Sequence, residues 1–199
     1  MNCENIKNSM AIHLKGKHRH PDFEYDFPAG SFDYPTSAPF DQPAPLDTDT
    51  GGNGQIKRQL MDDTTEEFVM RQFKLHSQFT ERQSQTVMFA VVGYSVTAAG
   101  GSNVRFNFRH SARNNVRGLD ERNWDFPFAS VESPDFECSS DQDYLDYFFW
   151  TETVENLEWV ARDDIRIMLS RIATDDSGNL TGDYGLVDFK IIVPLQRMN

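Results

Sequence analysis

The chain has 199 residues, enough for one folded domain of about 150 residues and a terminal arm, and it carries a net charge of −12. This acidic balance argues against wrapping nucleic acid, because phosphate binding needs a basic patch. No apolar run approaches the roughly 18 residues of a membrane span, and the two cysteines, in unrelated contexts, predict no disulfide framework.

Residues 1–56 are predicted to form an extended arm that precedes the domain. Between Pro21 and Pro45 the chain holds six of its nine prolines, which disfavour a helix or a central strand. Six aromatic residues, too many for a solvated linker, alternate with these prolines: Phe23, Tyr25, Phe27, Phe32, Tyr34 and Phe40. We expect the rings to lie either on a partner protein, where the backbone can add to a sheet edge, or on the chain's own domain.

Residues 57–199 are predicted to form an antiparallel β-sandwich. Apolar and polar side chains alternate with a period of two, as in half-buried strands, at 104–110, 165–169 and 187–193. Further strands are expected at 73–79, at 86–97 with a bulge at Gly93, at 126–131 and at 144–151. Only 153–162 has helical spacing. Polar turns separate these segments, so about seven to nine strands result, and their long loops favour a jelly roll.

The sequence contains no familiar catalytic or cofactor motif. It lacks a GxSxG elbow, a Walker loop, an HExxH helix and a Rossmann fingerprint, so we predict no enzymatic activity and no cofactor. The spacing of His13, His18 and His20 matches no closed metal site. The acidic residues at 175–183 are more typical of a hairpin turn than of a calcium loop. His110 lies on the apolar phase of its strand, which favours a core imidazole over a ligand.

Aromatic and acidic residues crowd positions 141–150. Tyr144, Tyr147 and Trp150, with three aspartates nearby, are predicted contacts for a sugar or a host receptor, because rings stack on sugars and carboxylates accept hydrogen bonds from hydroxyl groups. The same run is more often a strand whose rings fill a core or a subunit interface. Hydrolysis of a sugar polymer would need two carboxylates at a defined separation.

The closing segment 163–194 reads DDIRIMLSRIATDDSGNLTGDYGLVDFKIIVP. It has an acidic start, an alternating strand that ends at Arg171, a polar hairpin with Gly182 and Asp183, and a final apolar strand. This segment resembles the C-terminal hairpin of jelly-roll domains in virion proteins of tailed bacteriophages. The resemblance implies a capsid decoration, head-fibre or tail-attached protein, commonly trimeric, that is made in the host cytoplasm and carried in the virion.

Two functional hypotheses follow. In the first, the chain is a non-enzymatic virion structural protein whose arm attaches to other virion proteins of the capsid or tail. This protein would be a homo-oligomer, with a trimer favoured, and would not bind a membrane or nucleic acid. In the alternative, the chain is a β-sandwich module that binds a carbohydrate or a host receptor.

Overall fold

The computed structural model describes residues 22–33, 44–46, 58–96, 102–113, 129–139, 145–172 and 179–196. These residues form mainly β-strands. The strands are β1 (Asp22–Pro28), β2 (Ala44–Leu46), β3 (Arg58–Met61), β4 (Phe68–Lys74), β5 (Thr86–Ser95), β6 (Asn103–Val104), β7 (Phe106–Arg113), β8 (Ala129–Glu132), β9 (Phe136–Glu137), β10 (Asp146–Thr153), β11 (Asp164–Arg171) and β12 (Tyr184–Pro194).

The strands pair into two main antiparallel sheets. The six-stranded sheet has the order β10, β5, β12, β3, β2, and β1 also pairs with β12. The four-stranded sheet has the order β4, β11, β7, β8, and β6 pairs with β9 in a separate ribbon. Every one of these strand pairs is antiparallel.

Aromatic rings from the two main sheets meet in one core. Phe89 of β5 lies 4.5 Å from Phe108 of β7 between ring centroids, and Phe189 of β12 lies 5.8 Å from the same Phe108. The inward residues of both sheets are almost fully buried, as in two sheets packed face to face. The protein is therefore an all-β antiparallel sandwich of the jelly-roll type, as the alternation predicts.

A bulge in β12 takes Val187 out of the predicted alternation, whereas Phe189, Ile191 and Val193 are buried as predicted. The register with β5 shifts between Leu186 and Asp188, so Leu186 and Phe189 both face the core and Val187 does not. The predicted bulge at Gly93 is thus wrong in its location. Gly93 stays in register, and the extra residue lies on the strand opposite it.

The described part of the predicted arm belongs to the sandwich. Strand β1 pairs with β12 from Asp22 opposite Pro194 to Pro28 opposite Asp188. Phe27 and Phe32 are 5% and 7% exposed and join the core. Asp33 then exchanges two backbone hydrogen bonds of 2.8 Å with Met70 of β4, so this segment connects both sheets.

These contacts change the interpretation of the arm. For residues 22–33, the surface that the rings cover is the chain's own domain, because Phe27 and Phe32 are buried there. The predicted boundary at residue 56 does not separate the strands either, since β1 and β2 pair within the six-stranded sheet. Tyr34 and Phe40 lie outside the described residues. Binding of the arm to a partner stays a prediction, and Phe23, 37% exposed, is the ring of β1 most open to one.

The predicted helix at 153–162 is reduced to one turn. Helix α1 spans Val154–Leu157 and begins where the Thr153 hydroxyl accepts a hydrogen bond from the Asn156 amide. It ends at Glu158, whose φ of 53° is left-handed. Trp159 then turns inward and is 1% exposed, so core packing replaces further helix. Within the described ranges, no helix has the length and apolar character that crossing a bilayer would require.

Candidate functional site

The outer face of the six-stranded sheet carries both aromatic and charged side chains. In β10, Phe148 and Trp150 are buried in the core, whereas Tyr147 and Phe149 lie on the opposite face. Directly paired residues share a face, so the register aligns the outward residues of β10, β5, β12 and β1. They form three rows: Tyr147, Val92, Asp188 and Pro28; Phe149, Ala90, Lys190 and Asp26; Thr151, Met88, Ile192 and Glu24.

Six residues of these rows form what we call the sheet-face site. Two are rings on the edge strand β10, and four are charged residues on β12 and β1. They are Tyr147, Phe149, Asp188, Lys190, Glu24 and Asp26.

The two rings of the sheet-face site form its apolar part. Tyr147 is 47% exposed, and Phe149, two residues further along β10, is partly exposed. Their partners on the neighbouring strand, Val92 and Ala90, have short side chains. Val92 is 7% and Ala90 1% exposed, so neighbouring side chains cover this part of the face, and the exposed ring of Tyr147 stands beside it.

The charged part of the sheet-face site is centred on Lys190. Its ammonium nitrogen Nζ donates a hydrogen bond of 2.7 Å to Oε1 of Glu24. The same nitrogen lies 3.4 Å from Oδ1 of Asp26 and 3.6 Å from Oδ2 of Asp188. One ammonium thus faces three carboxylates, so the group carries excess negative charge when all three are ionised.

The surroundings change the pKa of two groups of the sheet-face site, Asp188 and Lys190. Burial, followed by the neighbouring Asp26 carboxyl, raises the pKa of Asp188 to about 6. The hydrogen bond to Glu24 raises the pKa of Lys190 above its ordinary value, so the ammonium stays charged. Lys190 is therefore a permanent donor in this site, whereas Asp188 titrates in the weakly acidic range.

The structure separates the three predicted sugar-contacting residues. Tyr147 is exposed in the sheet-face site. Trp150, by contrast, is 7% exposed, and its ring centroid lies 5.2 Å from that of Phe89 and 6.2 Å from that of Phe136 in the core. The prediction that Trp150 contacts a ligand is therefore wrong, because its phase on β10 is inward. Tyr144 lies outside the described residues.

Asp146, one of the predicted acidic neighbours, is also inward. Its side chain is 8% exposed, and Oδ1 accepts a hydrogen bond of 3.0 Å from the Ser139 amide. Burial raises its pKa to about 6, partly offset by that hydrogen bond. It lies on the opposite side of the sheet from the exposed rings and cannot serve a ligand there.

Sequence reasoning missed most of the sheet-face site. Phe149 stands in the run 147–150, four consecutive aromatic residues, where alternation requires two rings to face outward but does not say which two. Asp26 and Lys190 are 164 positions apart in the chain, and only the pairing of β1 with β12 brings them together. A charged residue such as Lys190 within an apolar strand is the signal that could have marked the outer face.

Comparisons with known proteins give no family for the chain. No family model matches it, and no curated protein does. Among solved structures, it is similar to a family 35 carbohydrate binding module from Clostridium thermocellum, with 9% identity, a TM-score of 0.47, and coverage of 85% of this chain and 97% of that one. A family 35 module from an environmental isolate has 9% identity, a TM-score of 0.49, and coverage of 87% and 99%. The CBM35 from Cellvibrio japonicus Abf62 has 8% identity, a TM-score of 0.46, and coverage of 88% and 100%. Values this low say nothing about a shared ligand.

A second surface feature is an open cleft of about 600 Å³ between β8, the end of β10 and α1. Four carboxylates line it, those of Glu132, Glu152, Glu155 and Glu158, and His110 lies at its floor. His110 is 4% exposed, and its Nδ1 accepts a hydrogen bond of 3.1 Å from the Trp159 indole nitrogen. Burial lowers the pKa of His110 to about 4, so the imidazole is neutral at pH 7.

The cleft is a weaker candidate than the sheet-face site. His110 is a core imidazole held by Trp159, as its phase on the strand predicts. Apart from His110, no aromatic ring is found among the described residues that line the cleft. Nor do the described parts of the chain contain three or more His, Cys, Asp or Glu side chains grouped to hold a metal ion.

Proposed function

We propose that this protein binds carbohydrate at the sheet-face site and acts by binding rather than by catalysis. The observation that carries the proposal is the exposure of Tyr147 beside Phe149, on the same face as four charged groups. Ligand sites typically combine aromatic surface with a few polar groups that fix orientation. Here the two kinds of group lie on the same face of one sheet, with strand β5 between them.

The chemistry of a sugar matches this arrangement. The C–H face of a pyranose ring is apolar and flat, so it can cover an aromatic ring such as Tyr147 and displace water from it. Hydroxyl groups on a further sugar unit can donate to Asp26 or Asp188 and accept from Lys190. Hydrogen bonds to charged groups are worth more than neutral ones, about 1.5–3 kcal/mol each.

The geometry favours binding over hydrolysis. A glycosidase places two carboxyl groups on opposite sides of the scissile bond, typically about 5–9.5 Å apart. In the sheet-face site the three carboxylates all converge on Lys190 and lie beside one another on an open face. They can hold hydroxyl groups, but they do not enclose a bond from two sides.

The test is the variant Tyr147→Ala, measured against a panel of soluble oligosaccharides by isothermal titration calorimetry. Removing the ring is expected to weaken binding about tenfold or more, which corresponds to about 1.4 kcal/mol. The matched control is Phe23→Ala, which removes another exposed ring, one that contacts Tyr25 and His76 instead. Unchanged affinity in Tyr147→Ala, or no oligosaccharide bound by the unaltered protein, would refute the proposal.

Attachment to a virion through the arm stays a prediction. The two strands of the closing segment that carries the resemblance form as β11 and β12. They lie in different sheets and do not pair with each other, so the predicted hairpin is wrong. Within the arm, Phe23 retains exposed apolar surface that a partner could cover. Trimer formation, virion partners and location in the virion are likewise predictions.

A further inference from the structure

The charges of the sheet-face site bear on the kind of sugar it accepts. Lys190 lies within 2.7–3.6 Å of three carboxylates. Two of these, on Glu24 and Asp26, are about half exposed, with side-chain exposures of 48% and 57%. An incoming ligand therefore meets carboxylate oxygens around an ammonium that is already paired.

We propose that the sheet-face site selects neutral oligosaccharides of at least two sugar units and discriminates against sugars that carry carboxylate or sulfate groups. This inference rests on the proposed carbohydrate binding. It adds the chemical class and the minimum length of the ligand.

The discrimination follows from the sign of the exposed charge. An anionic group near Lys190 would lie at similar distances from the Glu24 and Asp26 carboxylates, so the attraction of one ammonium is outweighed by two or three repulsions. Placing like charges opposite each other across an interface is strongly unfavourable. Neutral hydroxyl groups meet no such penalty, because carboxylates accept hydrogen bonds from them.

The minimum length follows from the width of the site. The rings stand on β10, and Asp188 and Lys190 stand two strands away on β12, with β5 between them. Neighbouring strands are about 4.8 Å apart, so the two groups are separated by roughly 10 Å. A single pyranose ring stacked on Tyr147 does not reach across that distance, whereas a chain of two or more units does.

The experiment compares three ligands of one linkage type by calorimetry at pH 7.5 and low salt: a neutral trisaccharide, its uronic acid counterpart and the neutral monosaccharide. The unaltered protein is expected to bind the neutral trisaccharide at least about tenfold more tightly than either of the others. The difference in affinity between the neutral trisaccharide and the uronate should decrease as sodium chloride is added, because salt screens exposed charges.

The double variant Glu24→Gln with Asp26→Asn removes the two more exposed negative charges while keeping the shapes of the side chains. It is expected to bind the uronate more tightly, so the ratio of the affinities for the neutral trisaccharide and the uronate should fall about tenfold. The control is Glu132→Gln, which removes one exposed charge in the cleft between β8 and α1 and should leave the discrimination unchanged. Thermal unfolding of each variant establishes that it is folded.

The outcomes separate this inference from the proposed function. If no trisaccharide binds, carbohydrate binding itself is wrong. If the uronate binds as tightly as the neutral trisaccharide, or if the double variant leaves the discrimination unchanged, sugar binding stands and the charge selection is wrong. If the monosaccharide binds as tightly as the trisaccharide, the length requirement is wrong.

Discussion

Asp146 shows how burial of a single carboxylate makes the stability of the fold depend on pH. Its Oδ1 accepts a hydrogen bond from the Ser139 amide, but Oδ2 has no hydrogen-bond partner in the described structure. Burial raises its pKa from 3.8 to about 6, so the folded protein holds this proton more tightly than the unfolded chain does. Asp146 therefore makes folding less favourable as the pH rises from about 4 to about 6.

We predict that Asp146→Asn removes this pH dependence. We compare the unfolding free energy of the variant with that of the unaltered protein at each pH. This difference should favour the variant by about 1–3 kcal/mol more at pH 8 than at pH 4, because asparagine has no proton to lose. Its amide oxygen can still accept from Ser139. The measurement is urea unfolding at both pH values, and the titration of Asp188 cancels because it is present in both proteins.

Glu137→Gln is the matched control for Asp146→Asn, since it removes an exposed carboxylate from the same region. If Asp146→Asn shifts the unfolding free energy equally at pH 4 and pH 8, the carboxyl is not held protonated by burial.

Among the elements, the contact between β5 and β12 depends on Gly93. A Cβ atom at this position would lie 2.5 Å from the Gly185 carbonyl oxygen and 2.5 Å from Cε1 of Tyr184, whose ring is fully buried. Both distances are shorter than the contacts that Cβ atoms make in proteins, and the carbonyl oxygen cannot move without moving the backbone of β12. The glycine thus lets the Tyr184 ring cover β5 next to the bulge of β12.

Gly93→Ala is expected to destabilise the fold by about 1–3 kcal/mol, because the extra methyl group must push β12 or the Tyr184 ring aside. The free energy of unfolding, measured by urea titration, tests this expectation. Thr86→Ala, an exposed change on the same strand, is the control and should stay within about 0.5 kcal/mol of the unaltered protein. A Gly93→Ala protein as stable as the control would mean that the strands adjust freely at this point.

For the whole molecule, the main consequence of the fold is that β1 completes the sandwich. It covers the edge of β12 that β3 leaves free and brings Phe27 into the core. The Phe27 ring centroid lies 5.4 Å from that of Phe73 on the four-stranded sheet and 6.3 Å from that of Phe189 on β12. The Phe27 ring is thus packed between the two sheets, and the outer face of β1 contributes two residues of the sheet-face site.

Phe27→Ala is therefore expected to lose about 3–5 kcal/mol of unfolding free energy, as buried phenylalanines generally do. Phe23→Ala, on the same strand but 37% exposed, should lose much less. Both values come from urea unfolding of the full chain. Equal and small losses would instead support an arm that lies outside the domain.

The fold class follows from the pattern of residues along the chain. Alternation with period two reports that each strand has an apolar and a polar face, and this local property predicted β5, β7, β11 and most of β12. It also placed His110 in the core, whereas the crowding of aromatic and acidic residues at 141–150 made Tyr147 a candidate ligand contact. Helical spacing at 153–162 was misleading, because burial of Trp159 favours ending the helix after one turn.

The tertiary structure decided which faces and which strands meet. A run of four aromatic residues at 147–150 does not reveal its own phase, so Trp150 could be assigned to the core only once β10 was paired with β5. The bulge that turns Val187 away from the core and the pairing of β1 with β12 depend on contacts between residues far apart in the chain. The sheet-face site exists only through that long-range register, which is why the sequence showed one of its rings and none of its charges.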